Sequence, residues 1–239
     1  MGTSKGYQPP KGYLWSDAKR AVSSMISSNF ESSSIGKAVG QYNQAARQGG
    51  GGGGSTRQQA LSTAGAKAAN FFSTARSQGF SKALEEAGLS NLIGKSNEEI
   101  YSGLLDYFAG DGSSLDDAVV RDSMAELMKE MFLDVPDDKT FEEVINGTDM
   151  NKFVKDLITK FIQKDFLMNF SEKIEAKCKN IEEYKKAEKQ IKNFIKAKID
   201  TKYSVEDLSK IDWRGSQGKT FIHDRCNEVL KVFEVYLEG

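Results

Sequence analysis

Apolar residues recur every three to four positions through most of this chain, the spacing that puts them on one face of an α-helix. The longest such run covers residues 149–178. There Phe153, Val154, Leu157, Ile158, Phe161, Ile162, Phe166, Leu167, Phe170 and Ile174 keep the pattern while Lys and Asp fill the opposite face. Residues 181–199 repeat the style with Ile181, Tyr184, Ala187, Ile191, Phe194, Ile195 and Ile199. A last helix is predicted over 219–237, carrying Ile222, Cys226, Val229, Leu230, Phe233, Tyr236 and Leu237.

Helix boundaries between residues 80 and 150 are marked by polar residues. Ser96 followed by Glu99 reads as a capping box ahead of Ile100, Leu104, Leu105 and Phe108. Gly110-Asp111-Gly112 ends that helix, and Ser114 with Asp117 opens the next, on which Val120, Met124, Leu127, Met128, Met131 and Phe132 align. Val135-Pro136 breaks the run, because the residue before proline is pushed out of the helical region. A short helix, 141–145, stops at Asn146-Gly147.

The first third is weaker. Val22, Met25, Ile26 and Phe30 fall at helical spacing after a possible cap at Ser16 or Asp17. Leu61, Ala64, Ala68, Phe71, Phe72 and Ala75 form a second stripe, with Ser55 or Thr56 as its cap. Between them lies the unbroken run Gly49 to Gly54, read as a linker because each glycine weakens a helix by about 0.5–1 kcal/mol. No strand-period run of useful length is present. The sequence therefore predicts an all-α protein, a helical bundle preceded by a flexible Gly/Ser-rich N-terminal region. The expected divisions are a leader at 1–16, a weakly helical region at 17–79 interrupted by the linker 49–54, and a helical core at 80–239.

Composition narrows the function classes. Hydrophobic residues make up 38% of 239, and no apolar run is long enough to span a membrane. The first residues lack the apolar stretch of a signal peptide, so a cytoplasmic location is expected. Two cysteines cannot build a disulfide framework, and a single histidine argues against a structural zinc site. The expectation is no metal and no cofactor. Charge is uneven: residues 1–88 carry 10 Lys+Arg against 4 Asp+Glu, 89–150 carry 4 against 15, and 151–239 carry 19 against 15.

Motifs suggestive of catalysis lack their necessary parts. Gly218-Lys219-Thr220 ends like a phosphate-binding loop, yet the pattern requires glycine at 213, where Trp213 stands. Gly94-Lys95-Ser96 fails the same way at Leu89. His223 beside Asp224 could act as a base, but no nucleophile is marked for it, and Cys178 and Cys226 read as buried thiols. Acidic pairs at Asp116-Asp117, Asp137-Asp138 and Glu142-Glu143 are accounted for by helix starts, where the dipole favours negative charge. No catalytic residue is assigned. The basic N-terminal third, with Lys5, Lys11, Lys19, Arg20, Lys37, Arg47 and Arg57, leaves open an alternative: a nucleic-acid-binding helical module that contacts phosphates.

The opening Met1-Gly2-Thr3-Ser4 is similar to that of the QatB-like components of bacterial Qat anti-phage defence systems. The order of later features resembles the family too: a proline-containing leader with Pro9-Pro10, then Trp15, then the glycine-rich segment from Arg47 to Arg57, then helices. Within those helices, Gly112 to Met131 resembles the family's first strong helix. The resemblance implies a non-enzymatic adaptor that works with an ATPase, a QueC-like enzyme and a TatD-like nuclease. QueC enzymes activate the carboxylate of a 7-deazaguanine with ATP and attach nitrogen to it. Under this resemblance the α-amine of Gly2, exposed by removal of Met1, is the nitrogen donor and acceptor of the modification. Thr3 and Ser4 are then the leader residues that the partner recognises.

Overall fold

The structure is a computed structural model that describes residues 11–48, 54–132 and 140–237. Among these residues there are ten α-helices, three short 3-10 turns and no strand. The helices are α1 (Tyr13–Ser27), α2 (Ser32–Gln48), α3 (Gly54–Gln78), α4 (Phe80–Glu86), α5 (Asn97–Ala109), α6 (Leu115–Phe132), α7 (Phe141–Gly147), α8 (Met150–Glu175), α9 (Ile181–Asp200) and α10 (Ser216–Lys231). The all-α reading holds.

The chain forms two compact units. Among the described residues, one unit comprises 11–48, 54–55, 162–203 and 227–237, and the other comprises 56–132, 140–161 and 204–226. The first is built in part on the apolar faces of α1 and α2. Leu14, Trp15, Ala18, Val22 and Met25 of α1, with Ile35, Ala38, Val39 and Tyr42 of α2, are buried, and α2 packs against α9. Burying such side chains contributes about 1.5–3 kcal/mol each for the larger ones, so these two helices belong to a core.

In this first unit Asn29 and Phe30 adopt positive φ (53° and 60°) and turn the chain from α1 into α2, with the N–H of Phe30 closing onto Met25 O at 2.9 Å. Tyr42 is surrounded edge-on by Trp15, Phe166 and Phe170, with ring centroids 5.6–5.8 Å away. Edge-to-face placement sets ring hydrogens against the electron-rich faces.

Glycine is required where α2 meets the C-terminal turn of the same unit. A Cβ on Gly36 would come within 2.6 Å of the Tyr236 ring, and one on Gly40 within 2.6 Å of Phe233 O. Arg47 then pairs with Glu234 at 2.9 Å on the same side.

In the second unit Phe72 of α3 is ringed by Phe71, Phe108, Phe132 and Phe153, at centroid distances from 5.0 to 6.4 Å. Phe132 stacks on Phe141 at 4.3 Å and 9°. The alanine-rich stripe predicted for α3 is buried as expected: Leu61, Ala64, Ala68, Phe71, Phe72 and Ala75 are each at most 2% exposed.

Several helix ends differ from expectation. Helix α1 starts at Tyr13 after Gly12, upstream of the expected cap, so residues 13–16 of the expected leader are helical. Ser16 does not cap; its hydroxyl donates back to Gly12 O at 2.9 Å. Helix α10 stops at Lys231, and the following residues form a 3-10 turn over Glu234–Tyr236. The capping box at Ser96 and Glu99 forms as read, and Ser114 accepts from the Asp117 N–H at 3.1 Å. A second capping box, Thr140 with Glu143, opens α7. Residues 1–10, most of the linker 49–54 and the Val135-Pro136 break lie outside the described residues.

Candidate functional site

Gly2, Thr3 and Ser4 lie outside the described residues, so the geometry that bears on them is where the chain enters the fold. Lys11, Gly12 and Tyr13 are exposed, Tyr13 at 77%. Two residues later the chain is held firmly: Leu14 is 6% exposed and Trp15 fully buried against Tyr42. Tyr42 is itself fixed. Its hydroxyl donates to Asp165 Oδ2 at 2.5 Å, and Asn169 Nδ2 donates to the same hydroxyl at 3.0 Å. Lys173 adds a bond from Nζ to the Lys19 carbonyl of α1 at 2.6 Å. Burial, then repulsion from the like charges of Lys19 and Lys177, holds the Lys173 ammonium below its ordinary pKa.

The sequence assigned Tyr42, Asp165 and Asn169 no part in a shared network. Asp165 and Asn169 sit at an i, i+4 spacing on α8, a polar pair within a long apolar face. That interruption is the signal that marks them.

The sequence motifs resolve into structural roles. Gly218-Lys219-Thr220 lies within the first turns of α10, with no strand among the described residues to precede it. A Cβ on Gly218 would meet Trp213 Cε3 at 2.9 Å, so this glycine serves close packing of the helix start. Its N–H donates to Asp212 O at 3.2 Å. Gly94-Lys95-Ser96 is a turn in which Gly94 takes φ +76° and Ser96 caps α5. The His223 ring Nδ1 lies 3.3 Å from Asp224 Oδ1. Cys226 is buried as expected, whereas Cys178 is partly accessible. Burial, then Glu183 and Glu175, push the Cys178 thiol above its usual range.

Asp116 has a role beyond its helix start. It accepts from Arg57 Nε at 2.6 Å, and the Arg57 side chain is only 3% exposed. Asp137-Asp138 lies outside the described residues, and Glu143 belongs to the α7 capping box. Of the basic N-terminal third, Arg20 pairs with Asp17, Arg47 with Glu234 and Arg57 with Asp116. These arginines are committed within their own unit, which leaves fewer charges for a phosphate backbone.

Clefts line the second unit. One, about 620 Å³, lies between α3 and the α5–α6 connection, with Ala60, Ala64, Phe108 and Val120 as its floor and Asp111 and Asp117 at its rim. A second of 490 Å³ borders Arg76 and Trp213, and a third of 380 Å³ lies between α3 and α10. Arg76 donates to the Ile145 and Thr148 carbonyls and so tethers the end of α7; burial lowers its pKa, partly offset by Asp149. Among the described residues no group of three or more His, Cys, Asp or Glu is arranged to hold a metal ion. No helix of the described residues is long and apolar enough to cross a membrane.

A family model for QatB, the Qat anti-phage system associated protein, matches residues 49–233, from just before α3 to just past α10. No curated protein and no solved structure matches the chain.

Proposed function

This chain belongs to the QatB family of Qat anti-phage system associated proteins, and from that premise we propose that it acts there as a non-catalytic adaptor and as a protein substrate. The acceptor is the α-amine of Gly2 after removal of Met1. The partner is a QueC-like enzyme of the same cytoplasmic system, and the system's ATPase and a TatD-like nuclease are further partners.

The observation that supports this reading is the way the chain enters the fold. Lys11, Gly12 and Tyr13 are exposed, while Leu14 and Trp15 are buried immediately after them. A segment attached at an exposed point can be offered to a partner while α1 stays docked. The chemistry favours this amine. An α-amine titrates well below a lysine ammonium, so a larger fraction is neutral and nucleophilic near neutral pH. Glycine places no side chain beside it.

The step balances without a further reactant. The partner converts the 7-deazaguanine carboxylate and ATP into an acyl adenylate and pyrophosphate. The neutral Gly2 nitrogen attacks the acyl carbon, the C–N bond forms, the C–O bond to AMP breaks, and the nitrogen loses one proton. The products are an amide-linked Gly2 and AMP. Thr3 and Ser4 are the residues the partner reads beside the acceptor.

Mass spectrometry of the chain made with and without an active QueC-like partner tests this. The adduct is expected on the N-terminal tryptic peptide ending at Lys5, and it is expected to disappear without the partner. Gly2→Pro should block it, because the ring makes the amine secondary and hindered. An unmodified Gly2 in the presence of active partner and its substrate would remove the acceptor role and leave the family assignment untouched.

A further inference from the structure

The Gly218-Lys219-Thr220 run has no phosphate-cradling loop, yet it lines a cleft. Lys219, Thr220 and His223 of α10 face Gln59, Ser62 and Thr63 of α3 across a space of about 380 Å³, all within the second unit. Both triplets are spaced to share one helix face: 59, 62 and 63 at i, i+3 and i+4, and 219, 220 and 223 at i, i+1 and i+4.

Two glycines bring these faces together. A Cβ on Gly65 would stand 2.6 Å from Ile222 Cδ1 and 3.2 Å from Leu157 Cδ2, so α3 lies close against the side chains of α10 and α8 at this glycine. Gly218, packed on Trp213, sets where α10 begins. The facing of these two helix surfaces is therefore built into the packing of α3 and α10.

The chemistry of the lining selects a ligand. Lys219 makes no ion pair with any described residue, in contrast to Lys210, which pairs with Asp207 at 3.4 Å. Among the described residues no carboxylate lines the cleft; Asp224, beside the His223 ring, is 70% exposed. Thr63, Thr220 and the Gln59 amide supply donors, and the imidazole supplies a donor or acceptor. The Ser62 hydroxyl donates to Gln58 O at 2.7 Å and thus presents lone pairs that accept from a ligand hydroxyl. A planar carboxylate is best held by the flat fork of an arginine, which this cleft lacks. A lysine with hydroxyls around it matches a tetrahedral oxyanion with acceptors on several sides. The volume is that of a small-molecule site.

We propose that the α3–α10 cleft binds the phosphoryl group of a small phosphate monoester, with Lys219 as its counter-charge and Thr63, Thr220 and Gln59 as its donors. Binding is the whole of the role; no bond is made or broken. This site stands apart from the Gly2 reading, and a Gly2→Pro chain is expected to bind the same ligand equally well.

The test uses the full chain and titrates inorganic phosphate, AMP and adenosine by calorimetry and amide NMR. Phosphate and AMP are expected to bind saturably with dissociation constants around 1 mM or below. Adenosine, lacking the phosphoryl group, is expected not to. Lys219→Ala should weaken AMP binding about 10–100-fold, the range of a lost charge-assisted hydrogen bond. Thr63→Val should weaken it by less, and Lys210→Ala should leave it unchanged. Lys219 is solvent-exposed, so its replacement leaves the core intact. Absence of saturable binding, or binding indifferent to Lys219→Ala, overturns the proposal. A single-stranded oligonucleotide that binds more tightly than AMP, with affinity falling steeply in salt, overturns the small-ester assignment in favour of a nucleic-acid backbone.

Discussion

The hydroxyl of Tyr42 donates to the carboxylate of Asp165 across 123 residues of sequence, and both side chains are buried. This bond links α2 to the second half of α8 inside the unit that receives the start of the chain. Asn169 donates to the same hydroxyl at 3.0 Å, so the phenol is both donor and acceptor. Tyr42→Phe keeps the ring and its edge-on neighbours but removes the hydroxyl. It leaves a buried carboxylate short of one donor, which costs about 1–3 kcal/mol. Urea unfolding should show a lower midpoint with an unchanged slope, since the surface exposed on unfolding is the same. A change below about 0.5 kcal/mol would mean that the network contributes nothing beyond its packing.

Gly40 is the second place where α2 is tuned to a neighbour. Its missing Cβ leaves room for the Phe233 carbonyl, at 2.6 Å from where that atom would stand, and Leu237 Cδ2 follows at 3.1 Å. A backbone oxygen cannot rotate away, so Gly40→Ala has to displace the C-terminal turn. The gain from alanine's higher helix propensity is about 1 kcal/mol, and overpacking costs about 1–3 kcal/mol. The net expectation is destabilisation, together with faster hydrogen exchange at the amides of Tyr236 and Leu237, which bond to Phe233 O and Glu234 O. At Gly36 the neighbour is the Tyr236 ring, which can swing, so Gly36→Ala should be the milder change. Equal exchange in wild type and Gly40→Ala would show that the close approach is unimportant.

What was legible in the sequence follows from how locally each feature is encoded. The long apolar stripes of α8 and α9 and the Ser96–Glu99 capping box depend on residues within a few positions of one another, and they formed where expected. Helix α2 was not read. Its Ser, Gly and Gln content hides a stripe of Ile35, Val39, Tyr42 and Ala45, and its glycines make sense only beside Tyr236 and Phe233. The partition into units was equally hidden, because it depends on which distant faces pair. The same holds for the sites. Lys219, Thr220 and His223 stood out as a motif with the wrong context, while Gln59, Ser62 and Thr63 that face them look like ordinary polar residues of α3. Arg57 read as a free basic charge, and only its burial against Asp116 shows it to be structural.

Acid and alkaline stability should separate two groups of charges. Hydrogen bonds hold three exposed carboxyls below the ordinary carboxylate range. Glu99 is held first by the Ser96 N–H and hydroxyl, Asp111 by the Ser113 N–H and hydroxyl, and Asp207 by the Ser209 hydroxyl and N–H. A carboxyl whose folded pKa is depressed stabilises the protein above its unfolded pKa, and that contribution fades as pH falls through the folded value. Lys160 carries the opposite sign. Burial lowers its pKa, but hydrogen bonds to Glu130 at 2.7 Å and Glu126 at 3.0 Å outweigh that and leave it raised. Its contribution is complete below the unfolded lysine pKa and fades only as pH rises through the folded one. Glu99→Gln removes the titrating group while keeping its size. The stability gap between this variant and wild type should be full at neutral pH and close below about pH 4. For Lys160→Met the gap should be full at neutral pH, where Glu126 and Glu130 are charged, and should narrow on the alkaline side only in strong alkali. Thermal unfolding midpoints measured across pH for both variants decide the matter. A Glu99→Gln gap that stays constant from neutral pH down into acid would show that the capping-box carboxylate gains nothing from its charge.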